Sequence, residues 1–276
     1  MITPVIAIIG AGNMGSSLIG GLIQNGHPSH QLWASDPSEE KLSDLKLRFN
    51  VNTTVDNRKA IESADIVVFA VKPQLLQTVA TTVAPLIQAN KPLVLSIAAG
   101  IRISSLQQWL GSHVAIVRAM PNTPALIGCG ATALYANHHV NHTQHNMAES
   151  ILRSVGVVVW LADEQLMDAV TALSGSGPAY FFLMMEILQD VAEQLGLDNE
   201  SARLLTMQTA LGAARMAIES GKPLAELRRH VTSPGGTTEK ALSVLEESNI
   251  RGVFKAALQA AKLRSEELAE VMDKKK

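Results

Sequence analysis

Apolar residues in the first half of the chain come in short runs of strand length, separated by stretches of helical period. Val5–Ile9 is one unbroken apolar run, and after Gly10 the residues Met14, Leu18, Ile19, Leu22 and Ile23 recur at helical spacing as far as Gly26. Gln31–Ser35 reads as a second strand and Ile66–Val71 as a buried one that stops at Lys72-Pro73, because proline cannot continue a central ladder. Leu93–Ile97, Val114–Val117, Ala131–Tyr135 and Gly156–Trp160 continue the series. Strand runs alternating with amphipathic helices predict a parallel sheet covered by helices, an α/β doubly wound arrangement.

Beyond Asp163 the pattern changes. Val, Ile and turn residues thin out, and Ala, Leu, Met, Gln and Glu take over. Helices are expected over Pro178–Leu195, Ala202–Ser220, Thr238–Glu247 and Val253–Met272. The division is therefore placed at 163/164, with an α/β domain over 1–163 and an all-α domain over 164–276. Within the first long helix, Tyr180–Met185 is apolar on every side, although Glu186 and Asp190 follow. That is too short to span a bilayer. A helix without a polar face must be covered by protein, and a small helical domain has little to spare for it. A subunit interface is the expectation; a buried core helix is the other reading.

Composition narrows the function. Of 276 residues 47% are hydrophobic and 17% charged, which is ample for a sizeable core, and the net charge of −2 gives no reason to expect nucleic acid or an anionic membrane as partner. The N-terminal segment has no basic region and too short an apolar run for a signal or membrane span, and there is one cysteine, Cys129. A cytoplasmic protein with a small-molecule ligand is expected, and Cys129 reads as a small, half-buried residue.

Gly10-Ala11-Gly12-Asn13-Met14-Gly15 matches GxGxxG, with a strand before it and a helix after. The first glycine permits the tight turn, the second lets backbone approach a pyrophosphate, and the third lets helix pack on strand. Asp36 ends the second strand, where an acid would hold a ribose. A Rossmann-type dinucleotide site follows. Ala70-Val71-Lys72-Pro73 and Ala98-Ala99 lie at other strand ends, with small residues that would admit a flat ring. A second glycine-rich stretch, Ser233-Pro234-Gly235-Gly236-Thr237-Thr238, opens an amphipathic helix. Unpaired amides and hydroxyls there suit a small anion such as a carboxylate, while capping by Thr237 is the plainer alternative. His138, His139, His142 and His145 crowd together, but among amides and hydroxyls that suggest a solvated loop; no metal site is expected.

With Arg118-Ala119-Met120-Pro121-Asn122-Thr123-Pro124 and Asp168–Tyr180 added to these motifs, the chain resembles pyrroline-5-carboxylate reductase almost end to end. The resemblance implies reduction of 1-pyrroline-5-carboxylate to L-proline with NADP(H) or NAD(H). It implies that Ile9, Gly10, Ala11, Gly12, Asn13 and Met14 hold the pyrophosphate, and that Ser35 lies beside the adenosine ribose and its 2′-phosphate. Asn57, Ala70, Val71, Lys72, Pro73, Ala98 and Ala99 correspond to further cofactor contacts. Ser233, Gly236, Thr237 and Thr238 match a loop gripping the substrate carboxylate, with Thr238 near the ring nitrogen and Glu164 near the bound proline. Family members are dimers through interleaved helical domains, often assembled into larger rings, so a homodimer is implied. A 3-hydroxyacid dehydrogenase or another imine reductase would place a catalytic Lys or Asp on the helix linking the domains, and Pro178–Leu195 has no Lys. A non-catalytic dinucleotide sensor would have no use for the second glycine site. Ser35–Lys41 carries three acids and no Arg, so NADH is expected to serve at least comparably to NADPH.

Overall fold

The structure, a computed structural model, describes residues 3–274. Its first part runs β1 (Ile6–Ile9), α1 (Asn13–Gln24), β2 (Leu32–Ser35), α2 (Glu39–Phe49), β3 (Asn52–Thr54), α3 (Asn57–Ile61), β4 (Ile66–Phe69) and α4 (Pro73–Asn90). It continues through β5 (Leu93–Ser96), α5 (Ile103–Leu110), β6 (Ile116–Met120), β7 (Gly130–Ala136), α6 (His142–Arg153) and β8 (Gly156–Trp160). The eight strands form one sheet in the order β3-β2-β1-β4-β5-β6-β7-β8. β1 lies between β2 and β4, paired parallel to both, which puts the reversal of strand order beside the glycine turn.

Alternation along each strand separates two apolar layers. Ile6, Ile8, Ile66, Val68, Leu93 and Leu95 face α1, α2 and α6. Ala7, Ile9, Val67, Phe69 and Val94 face α3, α4 and α5. Both faces are covered, which is why these strands read as continuous apolar runs. Each fully buried Ile or Leu contributes about 1.5–3 kcal/mol. β4 ends at Phe69, two residues before the expected Val71, and Pro73 takes the first position of α4, where a missing amide costs nothing.

Two features depart from the expected pattern. β3, a short half-buried strand of Asn and Thr, has no apolar run to announce it. β7 pairs antiparallel to β6 and parallel to β8, so the last two strands run against the rest. The connection explains this: residues 121–129 hold only the one-turn helix Thr123–Ile127, too little chain for a parallel crossover.

By packing, one compact unit runs to Ser176 and takes back the chain from Ala261, and the other is Gly177–Ala260. The expected division at 163/164 falls between β8 and α7 (Leu166–Val170), but α7 and the π-type turn Thr171–Gly175 pack with the sheet. Met167 and Ala172 are buried there. The second unit holds α8 (Gly177–Gln194), α9 (Asn199–Ser220), α10 (Leu224–His230), α11 (Thr237–Glu247) and the start of α12 (Ile250–Lys274). α10 was not expected from sequence. Among the described residues no helix is long and apolar enough to cross a membrane.

Candidate functional site

The glycine turn is tied to three strand ends. Gly10 N donates to the Ser35 carbonyl at 2.7 Å, and Ala70 N donates to the Ile9 carbonyl at 2.8 Å. Gly10 has φ +108°, and a Cβ there would come within 2.6 Å of the Ala70 carbonyl oxygen. A Cβ on Gly15 would overlap the Gly10 carbonyl oxygen, whereas one on Gly12 would meet nothing within 4 Å. Two of the glycines thus serve close packing, and the middle one leaves open space beside the N-terminus of α1. Gly12 is the N-cap of that helix and no side chain caps it, so the first-turn amides remain for an anion. These residues fit a dinucleotide pyrophosphate.

Asp36 is turned inward. Its Oδ2 accepts from Ala11 N and its Oδ1 from Ser38 N, both at 2.9 Å, with Lys41 Nζ 3.5 Å from Oδ1. The carboxylate braces the glycine turn, and the expected bias toward NADH loses its geometric basis. Ser35 and Asn57, expected as separate contacts, are brought together: the buried Ser35 hydroxyl donates to Asn57 Oδ1 at 2.7 Å. Lys72 is exposed at the end of β4, beside Ala70, Val71 and Pro73; next to it in the sheet, Ala98 is buried and Ala99 exposed after β5.

Glu164 is likewise committed to protein. Its Oε1 accepts from Ile103 N at 2.8 Å and from Arg118 Nη1 at 2.9 Å. Arg118 is almost wholly buried on β6 while Glu164 keeps partial access to solvent, and the ion pair joins three segments. Sequence reading passed over that role, although a lone Arg inside the run Ile116–Ala119 demands a buried acid. Asn122 was also missed: its side chain receives Ala131 N at 2.9 Å and donates to the Ser174 carbonyl at 3.0 Å, seating the π-type turn on the sheet.

In the helical unit, the Gly236 amide donates to the Ser233 carbonyl at 3.0 Å, closing a turn whose third residue, Gly235, has φ +71°. Pro at the second position and a left-handed Gly at the third are the marks of a type II turn. Gly236 is the N-cap of α11, and neither Thr237 nor any other side chain caps it. Glu239 instead reaches back to the Gly235 amide at 2.7 Å. The plainer reading, capping by Thr237, is therefore set aside, and the first-turn amides and the Thr237 and Thr238 hydroxyls sit together at an open helix N-terminus.

Other candidates resolve into packing. His145 stacks on Trp160 with centroids 3.6 Å apart, and His139 lies against His138 and His113. Among the described residues no group of three or more His, Cys, Asp or Glu is placed to hold a metal. Cys129 is exposed, contrary to the half-buried position expected, because it follows the surface turn closed by Gly128.

Comparison with known proteins places this geometry in a family. Residues 164–268 match the family described as pyrroline-5-carboxylate reductase dimerisation, and residues 5–100 match that described as NADP oxidoreductase, coenzyme F420-dependent. The pyrroline-5-carboxylate reductase of Pseudomonas aeruginosa is 50% identical over 270 residues, 98% of each chain. The solved pyrroline-5-carboxylate reductase of Coxiella burnetii has a TM-score of 0.94 and 48% identity, over 97% of this chain and 99% of that one. The Plasmodium falciparum pyrroline carboxylate reductase, solved with NADP bound, has a TM-score of 0.85 and 31% identity, over 98% of this chain and 99% of that one. Likeness at this identity over nearly the whole length shows that the chain belongs to the pyrroline-5-carboxylate reductase family.

Proposed function

We propose that the protein reduces 1-pyrroline-5-carboxylate to L-proline, the last step of proline biosynthesis, using NADPH or NADH. The observation that carries the reading is the presence, in a chain of this family, of two open helix N-termini that follow glycine turns. One follows the glycine turn of the sheet unit, and the other follows the Ser233–Gly236 turn of the helical unit.

In this reading the backbone of Ile9–Met14 holds the pyrophosphate, with Ser35 and Asn57 at the ribose and Ala70–Pro73 and Ala98–Ala99 at the nicotinamide end. When bound, the reduced nicotinamide supplies the hydride that adds to the imine carbon. Ser233, Gly236, Thr237 and Thr238 hold the substrate carboxylate, so the chain's contribution is mainly proximity and orientation. The ring nitrogen gains a proton as the C=N bond becomes C–N. Substrate bound as iminium carries that proton in; for the neutral imine, the Thr238 hydroxyl relays it from solvent. Glu164, near this site by resemblance, acts through Arg118 and the start of α5.

Residues 1–163 serve as the dinucleotide-binding domain and 164–276 as the substrate-binding and dimerisation domain of a homodimer. The exposed apolar residues of α8 support the dimer. A cytoplasmic location suits a chain with one unpaired, exposed cysteine. The test is a coupled assay with pyrroline-5-carboxylate and each reduced cofactor, with proline identified as product. Folded protein that yields no proline above background would refute the reading.

A further inference from the structure

The last turns of α12 return to the sheet unit and pack at the carboxyl ends of its strands. Ser265 and Ala269, one helical turn apart, are almost wholly buried, and Met272 packs against the core layer that includes Ala98 and Ile101. Gly100, just past β5, has φ +72°, and a Cβ there would lie 3.8 Å from the Ala269 amide nitrogen. The helix is therefore seated directly on the Ala98-Ala99-Gly100 turn. Beside this contact lies a cavity of about 390 Å³, lined by Pro73, Ala99 and Gly100 on one side and by Ser265, Leu268 and Met272 on the other.

A buried polar contact joins this part of α12 to α7. The Ser265 hydroxyl donates to Asp168 Oδ1 at 2.6 Å, and both residues are more than 90% buried. The two face each other from α7 and α12. Loss of the hydroxyl leaves a buried carboxylate oxygen short of a donor and removes a contact that holds this part of α12 to α7.

We infer that Ser265 and Asp168 are positioning residues for the nicotinamide end of the cofactor site, holding α12 against the Ala98–Gly100 turn so that this turn and Pro73 keep the width of the cleft. The inference rests on the proposed placement of the cofactor along Ala70–Pro73 and Ala98–Ala99. Neither side chain touches the reacting atoms. Their effect passes through the backbone on which the ring lies, where a small displacement is expensive in rate.

The experiment joins hydrogen exchange to kinetics in the full-length protein. Addition of NADP⁺ to wild type slows exchange in the peptides spanning 10–15, 98–100 and 261–272. Ser265→Ala raises KM for NADPH about tenfold and lowers kcat, leaves KM for pyrroline-5-carboxylate within about twofold, and loses the protection of 98–100. Ser265→Thr, which keeps the hydroxyl, restores all of these. A merely structural role predicts a lower Tm with unchanged constants per folded site, and that result overturns the inference. Should Ser265→Ala fail to fold, the wild-type exchange decides: protection of 10–15 and 98–100 without 261–272 refutes the positioning role. No protection of 10–15 or 98–100 removes the cofactor placement and this inference together.

Discussion

Two parts of this molecule use apolar residues in opposite ways. In the sheet unit, Ile6, Ile8, Ile66, Phe69 and Leu95 are at most 1% exposed, because helices cover both faces of the strands. In the helical unit, Phe181 is 61% and Phe182 63% exposed in the single chain, with Leu183, Ile187 and Leu188 beside them on α8. Among the described residues of Gly177–Ala260 only Gly177 and Ala202 are buried. A sheet between two helical layers completes its core within one chain. A few long helices cannot, and each must find its missing layer elsewhere. That contrast gives physical content to the dimerisation family matched by 164–268.

The largest effect should come from breaking the borrowed core. Replacing Phe182 with Asp and Met185 with Lys puts charge into the expected interface, where desolvation is costly. Light scattering should show monomer or aggregate, and activity should fall about a hundredfold or more. A fully active monomer would erase the contrast between the units. The matching change in the self-sufficient unit is Gly10→Ala, which forces a Cβ toward the Ala70 carbonyl at a positive φ. Strain of about 1–3 kcal/mol should lower both Tm and cofactor affinity. Titration with NADP⁺ checks it, and wild-type affinity would mean that the turn does not cradle the cofactor.

Thr238→Ala sharpens the comparison by assigning each glycine turn its own ligand. It should cost roughly 1–3 kcal/mol in kcat/KM for pyrroline-5-carboxylate and leave cofactor affinity unchanged. The reverse pattern in steady-state kinetics would show the two sites exchanged. The smallest expected effect is that of Asp36→Ser. Loss of the brace on Ala11 should weaken NADPH and NADH alike, by about fivefold. A change in the ratio of the two kcat/KM values would show instead that the carboxylate faces the ribose in solution.

Much of the architecture is written in local pattern. Buried strands announce themselves as apolar runs, Pro73 and Gly196 mark a start and an end of helix, and the glycine turn has its strand and helix in place. β3 and α10 escaped notice because they are short and carry no such run. The direction of β7 followed from the length of a connection, which pattern alone does not weigh.

The amino-acid sequence by itself determined the order and kind of most elements, the two glycine-rich turns, and the presence of a helix too apolar to stand alone. These depend on periodicity and backbone freedom, which act between near neighbours. Tertiary structure decided where the carboxylates point. Asp36 could have met a ribose and instead braces Ala11, Glu164 closes on Arg118, and Asp168 meets Ser265 from 97 residues away. A buried carboxylate takes whichever donors the fold brings within reach, and that choice is settled only when distant segments pack.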